Sequence, residues 1–516
     1  MKRRDFVGAA AAVGTLAAAS VGRTASPAVQ TGDRRAGLKN QWDLIVIGAG
    51  TAGVPAAIFA AEAGARVLVI EKSPVIGGTL DRSTGQISAS RTVFQEAKGI
   101  VDSPDEHYAD NMRINGWTAD PALTRLFVDE APATVNWLAA NGYQVINGDP
   151  VKGKGHDPFT IARYQNGPEG GRSILAAMKP LFDAAVQSGK ITLKLETGAT
   201  DLIQDVAGAV VGVVSAAADG KREESFGRKV LIATGGCAAN PRMFEDLHGA
   251  TLSAQIAYPW SQGEGFGLAM AAGGTLRGGE KYLPLYGVLL ESDTFPSAIS
   301  ATFIADPAQR QPWEIHVNAR GERFLREDHP THAYHEHALA KQPGQRFWVV
   351  YDNAMARQAP PFLLGMKPEQ VRDAFAGDHP MFATAGDLNA LAVKTGMDPR
   401  RLRHSVSTFN AAQESRSVDP FGREHRPLLL REAPYFAVRL SGWTVISFAG
   451  IAVDGRLRVL RTDGTPIPNL YAAGEALGAG ATSGSGYTNG ALVTPALAFG
   501  RWLGQRALQV EPGAAG

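Results

Sequence analysis

A short apolar run, Asp43-Leu44-Ile45-Val46-Ile47, opens directly into Gly48-Ala49-Gly50-Thr51-Ala52-Gly53, and this junction limits the fold more than any other part of the chain. The run is brief and rich in β-branched residues, the pattern of a strand buried in a parallel sheet. An Ala-rich stretch to Ala63, stopped by Gly64, reads as a helix, and Val67-Leu68-Val69-Ile70 as a second strand ending on Glu71. In such a β-α-β unit Gly48 makes the tight turn, Gly50 lets backbone approach a pyrophosphate, and Gly53 lets helix and strand pack closely. N–H groups at the helix N-terminus, around Thr51 and Ala52, face the phosphates, and Glu71 can accept from ribose hydroxyls. The unit predicts an α/β, Rossmann-like dinucleotide domain. It leaves the choice between nicotinamide and flavin dinucleotides open.

At 516 residues the chain is too long for one small core, so two or three domains are expected. A formal net charge of +1 gives no electrostatic reason to expect nucleic acid as a partner. The single cysteine, Cys237, excludes intrachain disulfides, iron–sulfur clusters and Cys-linked haem. Electrons must therefore pass between one cofactor and something external. At the N-terminus, Lys2-Arg3-Arg4 precedes a mild Ala/Gly-rich run and a small-residue zone around Ser26-Pro27-Ala28. Residues 1–30 resemble a twin-arginine export signal; a basic tail or an ordinary secretory signal are the other readings. The apolar run is short for a membrane anchor. The expectation is a soluble mature protein in the periplasm or secreted, delivered by the Tat machinery, which carries folded, cofactor-loaded cargo.

Further motifs resemble the flavoprotein family of succinate dehydrogenase and fumarate reductase along nearly the whole chain. Lys72-Ser73-Pro74-Val75-Ile76-Gly77-Gly78-Thr79 is similar to the family's E-K-x-x-x-x-G-G-[NT] segment, and Ser83-Thr84-Gly85-Gln86-Ile87 to its S-x-G-x-[IM] stretch. Residues 191–197 read as a strand toward the adenine end, with Ala199 just beyond. Lys229 to Gly236 matches the A-T-G-G strand end, with Thr234 and Gly235, and Pro466 to Glu475 resembles I-P-G-L-Y-A-A-G-E, with Gly474 and Glu475. The resemblance implies FAD as cofactor, with Asn489, Ala491 and Leu492 also against it. Some relatives attach flavin covalently through a histidine after the second glycine pair; residues 72–90 contain none, so non-covalent FAD is expected. The family pattern implies an FAD domain in two segments, 38–277 and 435–516, around an inserted α+β capping domain at 278–434. It also implies a last helix from about Gly490 through Pro495, Phe499 and Trp502, whose N-terminus points at the flavin.

Fumarate-handling members clamp a dicarboxylate with histidines and arginines. The matching positions here fall in Ile446-Ser447-Phe448-Ala449-Gly450, Tyr282-Leu283-Pro284-Leu285-Tyr286 and Ser485-Gly486-Tyr487-Thr488-Asn489-Gly490, which lack those groups. Tyr487 instead resembles the tyrosine of the S-Y-x-G segment in 3-ketosteroid dehydrogenases. It is a candidate for catalysis or for packing against the flavin, and Tyr286 is a weaker catalytic candidate. Val317 to Glu327 resembles V-N-x-x-G-x-R-F-x-N-E, a motif whose glutamate serves a proton relay in fumarate reductases. Glu327 and Arg323 are therefore candidates, although Arg326 replaces the usual asparagine and a structural salt bridge is the competing reading. Five of eleven histidines lie between His316 and His337, but His329, His332, His335 and His337 do not complete a metal pattern, and no metal is expected. The expected function is hydride transfer between flavin N5 and a carbon next to a carbonyl, on a neutral, cyclic small-molecule substrate. A quinone or cytochrome would exchange electrons with it. The rivals are an organic-acid reductase using Arg277, Arg323 or Arg326 as an altered clamp, a flavin electron carrier, and an oxidase.

Overall fold

The computed structural model describes residues 29–30, 42–506 and 508–509. Residues 1–28, which carry most of the expected export signal, lie outside them; Val29–Gln30 form a short edge strand beside Ile203 and Gln204. Among the described residues no helix is long and apolar enough to cross a membrane.

The β-α-β unit forms as its pattern requires. Strand Trp42–Ile47 pairs in parallel with Val67–Ile70 and with Arg222–Ile232, and the helix Gly53–Glu62 crosses between the first two. Ile191–Lys194 extends the parallel sheet on one side and Pro466–Ala472 on the other. Val67–Ile70 is buried throughout, as its unbroken apolar sequence demands. The single strand expected over residues 191–197 is broken in two. Glu196 takes a φ of +50°, and after it Thr197–Gln204 joins Val210–Ala217 and the outer half of Arg222–Ile232 in an antiparallel layer.

A second, antiparallel sheet is built from Leu285–Leu290, Ile299–Phe303, Ile315–Asn318, Arg346–Asp352, Leu363–Leu364, Phe382–Ala385 and Tyr435–Trp443. It carries its own core around Val288, Phe347, Val349, Phe409 and Leu440. The expected return to the first domain at residue 435 is corrected here. Tyr435–Trp443 lies inside this sheet, paired with Arg346–Asp352 and Leu285–Leu290, and its Ala437, Val438 and Leu440 belong to the second core. The chain re-enters the first domain only after Trp443. A small apolar cluster of Leu283, Ile446, Phe448, Ala479 and Tyr487 fills the junction where the two crossings run side by side.

The last helix spans Val493–Arg506, three residues later than expected, with Pro495 in its first turn where a missing N–H is harmless. A Cβ on Gly500 would collide with the Ala52 carbonyl, and one on Gly504 would lie 2.5 Å from that of Ala56. These two glycines, one helical turn apart, set how closely the last helix lies on Gly53–Glu62.

Candidate cofactor cleft and active site

The glycine loop is held from behind. Gly48 has a φ of +101° and donates its N–H to the Ile70 carbonyl at 2.8 Å, while a Cβ there would collide with the Ala233 carbonyl. Gly53 faces the Gly48 carbonyl with no room for a side chain. Gly50 is different: a Cβ on it would meet only the Gly78 Cα, at 4.0 Å, across an open gap. The second glycine pair is tied to the first loop by Gly77 N–H donating to the Ala49 carbonyl at 2.8 Å. Two backbone segments thus face one another, as a pyrophosphate between them requires.

A cleft of about 2000 Å³ runs from this loop to the domain junction, more than a single drug-sized ligand needs. Gly48, Gly50, Thr51, Ala52, Glu71 and Lys72 line it, as do Gly78, Thr79, Ser83 and Ala199. From the far side come Thr234, Gly235, Gly474, Glu475 and Leu492. Four expected cofactor contacts do not line it. Gly53 serves the packing just described. Gly85 lies against the backbone of Gly170 and Gly171, and the Ala491 carbonyl accepts from Thr482 Oγ1 at 2.9 Å. Asn489 turns its amide toward the 153–157 loop, where Nδ2 donates to the Asp157 carbonyl at 3.4 Å.

Glu71 serves two ends. Its Oε2 accepts from Ala49 N–H at 2.7 Å and its Oε1 from Ser73 N–H at 2.8 Å, so it braces the glycine loop, and its spare lone pairs remain for a ribose. Residues 256–264 form a strap over the cleft, pinned by the Lys72–Glu264 ion pair and by Lys72 over the Trp260 ring at 5.5 Å. This strap gave no signal in the sequence.

Thr234 Oγ1, Thr488 Oγ1 and Glu475 Oε1 line the cleft, enclosed and with no protein partner. Buried polar atoms are normally satisfied, so these call for a ligand bearing hydroxyl and phosphate groups. Burial pushes the Glu475 carboxyl up to about 7, which hydroxyl donors would reverse. The residues fit FAD: a pyrophosphate at Gly50 and Gly78, and hydroxyls against Glu475.

At the domain junction the wall is apolar, made by Leu285, Trp443, Val445, Ile446 and Tyr487. The basic group there is His156, and burial beside His332 lowers its imidazole to about 4, keeping it neutral. Its ring stacks on Tyr487 with centroids 5.3 Å apart. His156 belongs to none of the motifs above; its one local signal in the sequence is a glycine-rich setting, Gly153-Lys154-Gly155-His156. The other bases on the cleft are engaged elsewhere: Lys72 with Glu264, Arg82 over the Tyr258 ring, and Arg242 with Asp246. Tyr487 is buried and donates its hydroxyl to the Leu283 carbonyl at 2.9 Å, so in this arrangement its proton is committed to backbone.

The structure does not bring Tyr286, Arg323 or Glu327 to the cleft. Tyr286 is buried in the second core, bonded to His316 Nδ1 at 2.9 Å and stacked on Phe347. Arg323 forms a two-pronged pair with Glu327 and reaches Asp419 at 2.7 Å, all with buried side chains. Four of the five Arg323 N–H donors go to these two carboxylates, the arrangement of a buried ion-pair network. Arg277 is paired with Asp120 at 3.1 Å and Arg326 with Asp328 at 2.7 Å, so no member of the altered clamp lines the cleft either. His335 is buried with its ring nitrogens 3.0 and 3.2 Å from the Thr331 and Glu327 carbonyls, one of which accepts its single N–H, and this fixes it as a core histidine.

A family model described as "FAD binding domain" matches residues 43–488. The chain is 28% identical over 477 residues to a fumarate reductase (cytochrome) of Shewanella frigidimarina, covering 90% of this chain and 76% of that protein. It is also 28% identical over 457 residues to a vinyl phenol reductase of Lactiplantibacillus plantarum, covering 84% and 90%. Among solved structures, a 3-ketosteroid delta1-dehydrogenase of Sterolibacterium denitrificans superposes with a TM-score of 0.70 at 20% identity, covering 91% and 100%, which shows the shared fold. The chain belongs to the FAD binding domain family, and it is an FAD-dependent oxidoreductase of the fumarate reductase and succinate dehydrogenase flavoprotein type, acting on CH–CH groups.

Proposed function

We propose that this enzyme moves a hydride to or from one carbon of a C–C bond conjugated to a carbonyl or comparable group, and a proton to or from the other, on a neutral and ring-containing substrate. The observation that carries this reading is the junction wall: five apolar or aromatic side chains, with a histidine that burial keeps uncharged. A dicarboxylate buried there would lose its hydration without a fixed cation in return, which costs several kcal/mol per charge. Bound FAD supplies the hydride chemistry at N5. The chain's own part is to seat a flat ring between Trp443, Ile446 and Tyr487 and to exclude water from it. Relatives named as a vinyl phenol reductase and a 3-ketosteroid delta1-dehydrogenase support a neutral ring as substrate.

Two finer points belong to the same reading. The paired arginines Arg3 and Arg4 before an apolar run support export from the cytoplasm. With one cysteine, and that one buried, the chain relies on an external electron partner such as a quinone or cytochrome. The test is anaerobic mixing of reduced holoenzyme with cyclic enones, vinyl phenols and fumarate while flavin absorbance is followed. Reoxidation by the neutral enes supports the proposal. Reoxidation by fumarate alone, or by none of the panel, contradicts it.

A further inference from the structure

Helix His332–Ala340 of the second domain packs against the 151–157 loop of the first, so closely that a Cβ on Gly155 would lie 3.4 Å from His332 Cε1. The contact encloses four polar atoms that have no hydrogen-bond partner: Glu336 Oε2, His156 Nδ1, His332 Nε2 and Asp157 Oδ1. Glu336 is 1% exposed, and its Oε1 lies 3.8 Å from His156 Nδ1. His156 lines the cleft, stacked on Tyr487 and edge-on to His332 at 5.7 Å. A glutamate shut away from water with no cation beside it is costly, and a packing role would be served better by leucine or glutamine. The groups facing the pair are Asp157 on the loop, His332 on the helix and Tyr487 from the cleft wall. None is a cation at neutral pH. Burial, with Asp157 nearby, holds the Glu336 carboxyl well above the ordinary range, which favours its protonated form.

We propose that His156 is the residue that exchanges a proton with the substrate carbon, and that Glu336 behind it is the store from which that proton comes. This rests on the hydride-transfer reading above. In the reducing direction, hydride addition leaves an electron pair on the carbon next to the carbonyl. That carbon takes the proton of His156 Nε2 while Nδ1 takes the proton of Glu336. One C–H and one Nδ1–H bond form as one Nε2–H and one O–H bond break. The imidazole ends as its other tautomer and never becomes a cation, in keeping with its lowered basicity; Glu336 ends as a carboxylate and recovers its proton from water. Desaturation runs the same steps backwards. Asn489, whose amide bonds the 153–157 loop, acts as a positioning residue for His156.

The experiment uses full-length holoenzyme with Glu336→Gln and His156→Gln, both close in volume to the native residues. The first readout needs no substrate: the infrared spectrum of oxidised wild type at neutral pH minus that of Glu336→Gln. A protonated carboxyl band present only in wild type is expected; an ionised carboxylate at this position overturns the proposal. The second is single-turnover reoxidation by whichever ene oxidises the wild-type flavin, in water and in deuterium oxide. Each variant should lose about 100-fold or more, with an enlarged solvent isotope effect and an unchanged flavin content. Rates within about threefold of wild type overturn it. Should Glu336→Gln fail to retain FAD, Glu336→Leu, which also lacks the carboxyl, carries the same two readouts. If neutral enes leave the wild-type flavin reduced, the proposed function falls while the infrared result still decides the proton store.

Discussion

Glu475 places a carboxyl at the back of the cleft with one oxygen unpartnered, and its environment lifts it to about 7. The sign of the resulting pH dependence follows from linkage. Between the ordinary value of 4.5 and about 7 the folded apoprotein holds a proton that the unfolded chain has released. Glu475's contribution to apoprotein stability is therefore full below 4.5 and declines as pH rises to about 7. Glu475→Gln should flatten that decline in a series of thermal midpoints, and should weaken FAD binding about tenfold or more by removing a charged acceptor. The glycine roles at Gly48, Gly50 and Gly53 were legible in the sequence because a missing Cβ has a local cause, a turn or a close contact within one motif. His156 was not legible. What distinguishes it is Glu336 and Tyr487, brought to it by packing between domains, and no nearby residue pattern records that.

Packing between elements explains which other expectations held. Gly500 and Gly504 set the separation between the last helix and Gly53–Glu62, and through it the position of the glycine loop. Gly500→Ala should cost about 1–3 kcal/mol in thermal unfolding, and FAD affinity should fall with it, because the Ala52 carbonyl must move. In the second domain, burial pushes Glu327 up, but Arg323 and Arg423 outweigh it and hold the carboxyl at about 2. Its contribution is present above the ordinary value of 4.5 and is lost as pH falls toward about 2. Glu327→Gln should destabilise this domain by about 3–5 kcal/mol while the flavin-dependent rate of the folded holoenzyme stays within a few-fold. A rate loss of 100-fold at full folding would return Glu327 to the chemistry. The motif around Glu327 was readable as a motif, but sequence could not say whether its charges faced a substrate or each other. The boundary at residue 435 failed for a related reason: a strand's apolar residues show that it is buried, not which of two sheets it joins.

On the scale of the molecule, two cores meet along two crossings of the chain, and the cleft lies where they meet. The dinucleotide half was specified by motifs whose residues each touch backbone or the space for a cofactor. The substrate half is defined by what is absent from its wall, and three arginines that might have supplied a clamp are paired with carboxylates elsewhere. The proposed function requires that this wall select for a neutral substrate. The most direct test is the ratio of kcat/KM for a cyclic enone to that for the same ring bearing a carboxylate, measured with one preparation of holoenzyme. A preference of about 100-fold or more for the neutral compound is expected, the penalty for burying an unpaired charge. Equal values, or a preference for the carboxylate, would contradict it.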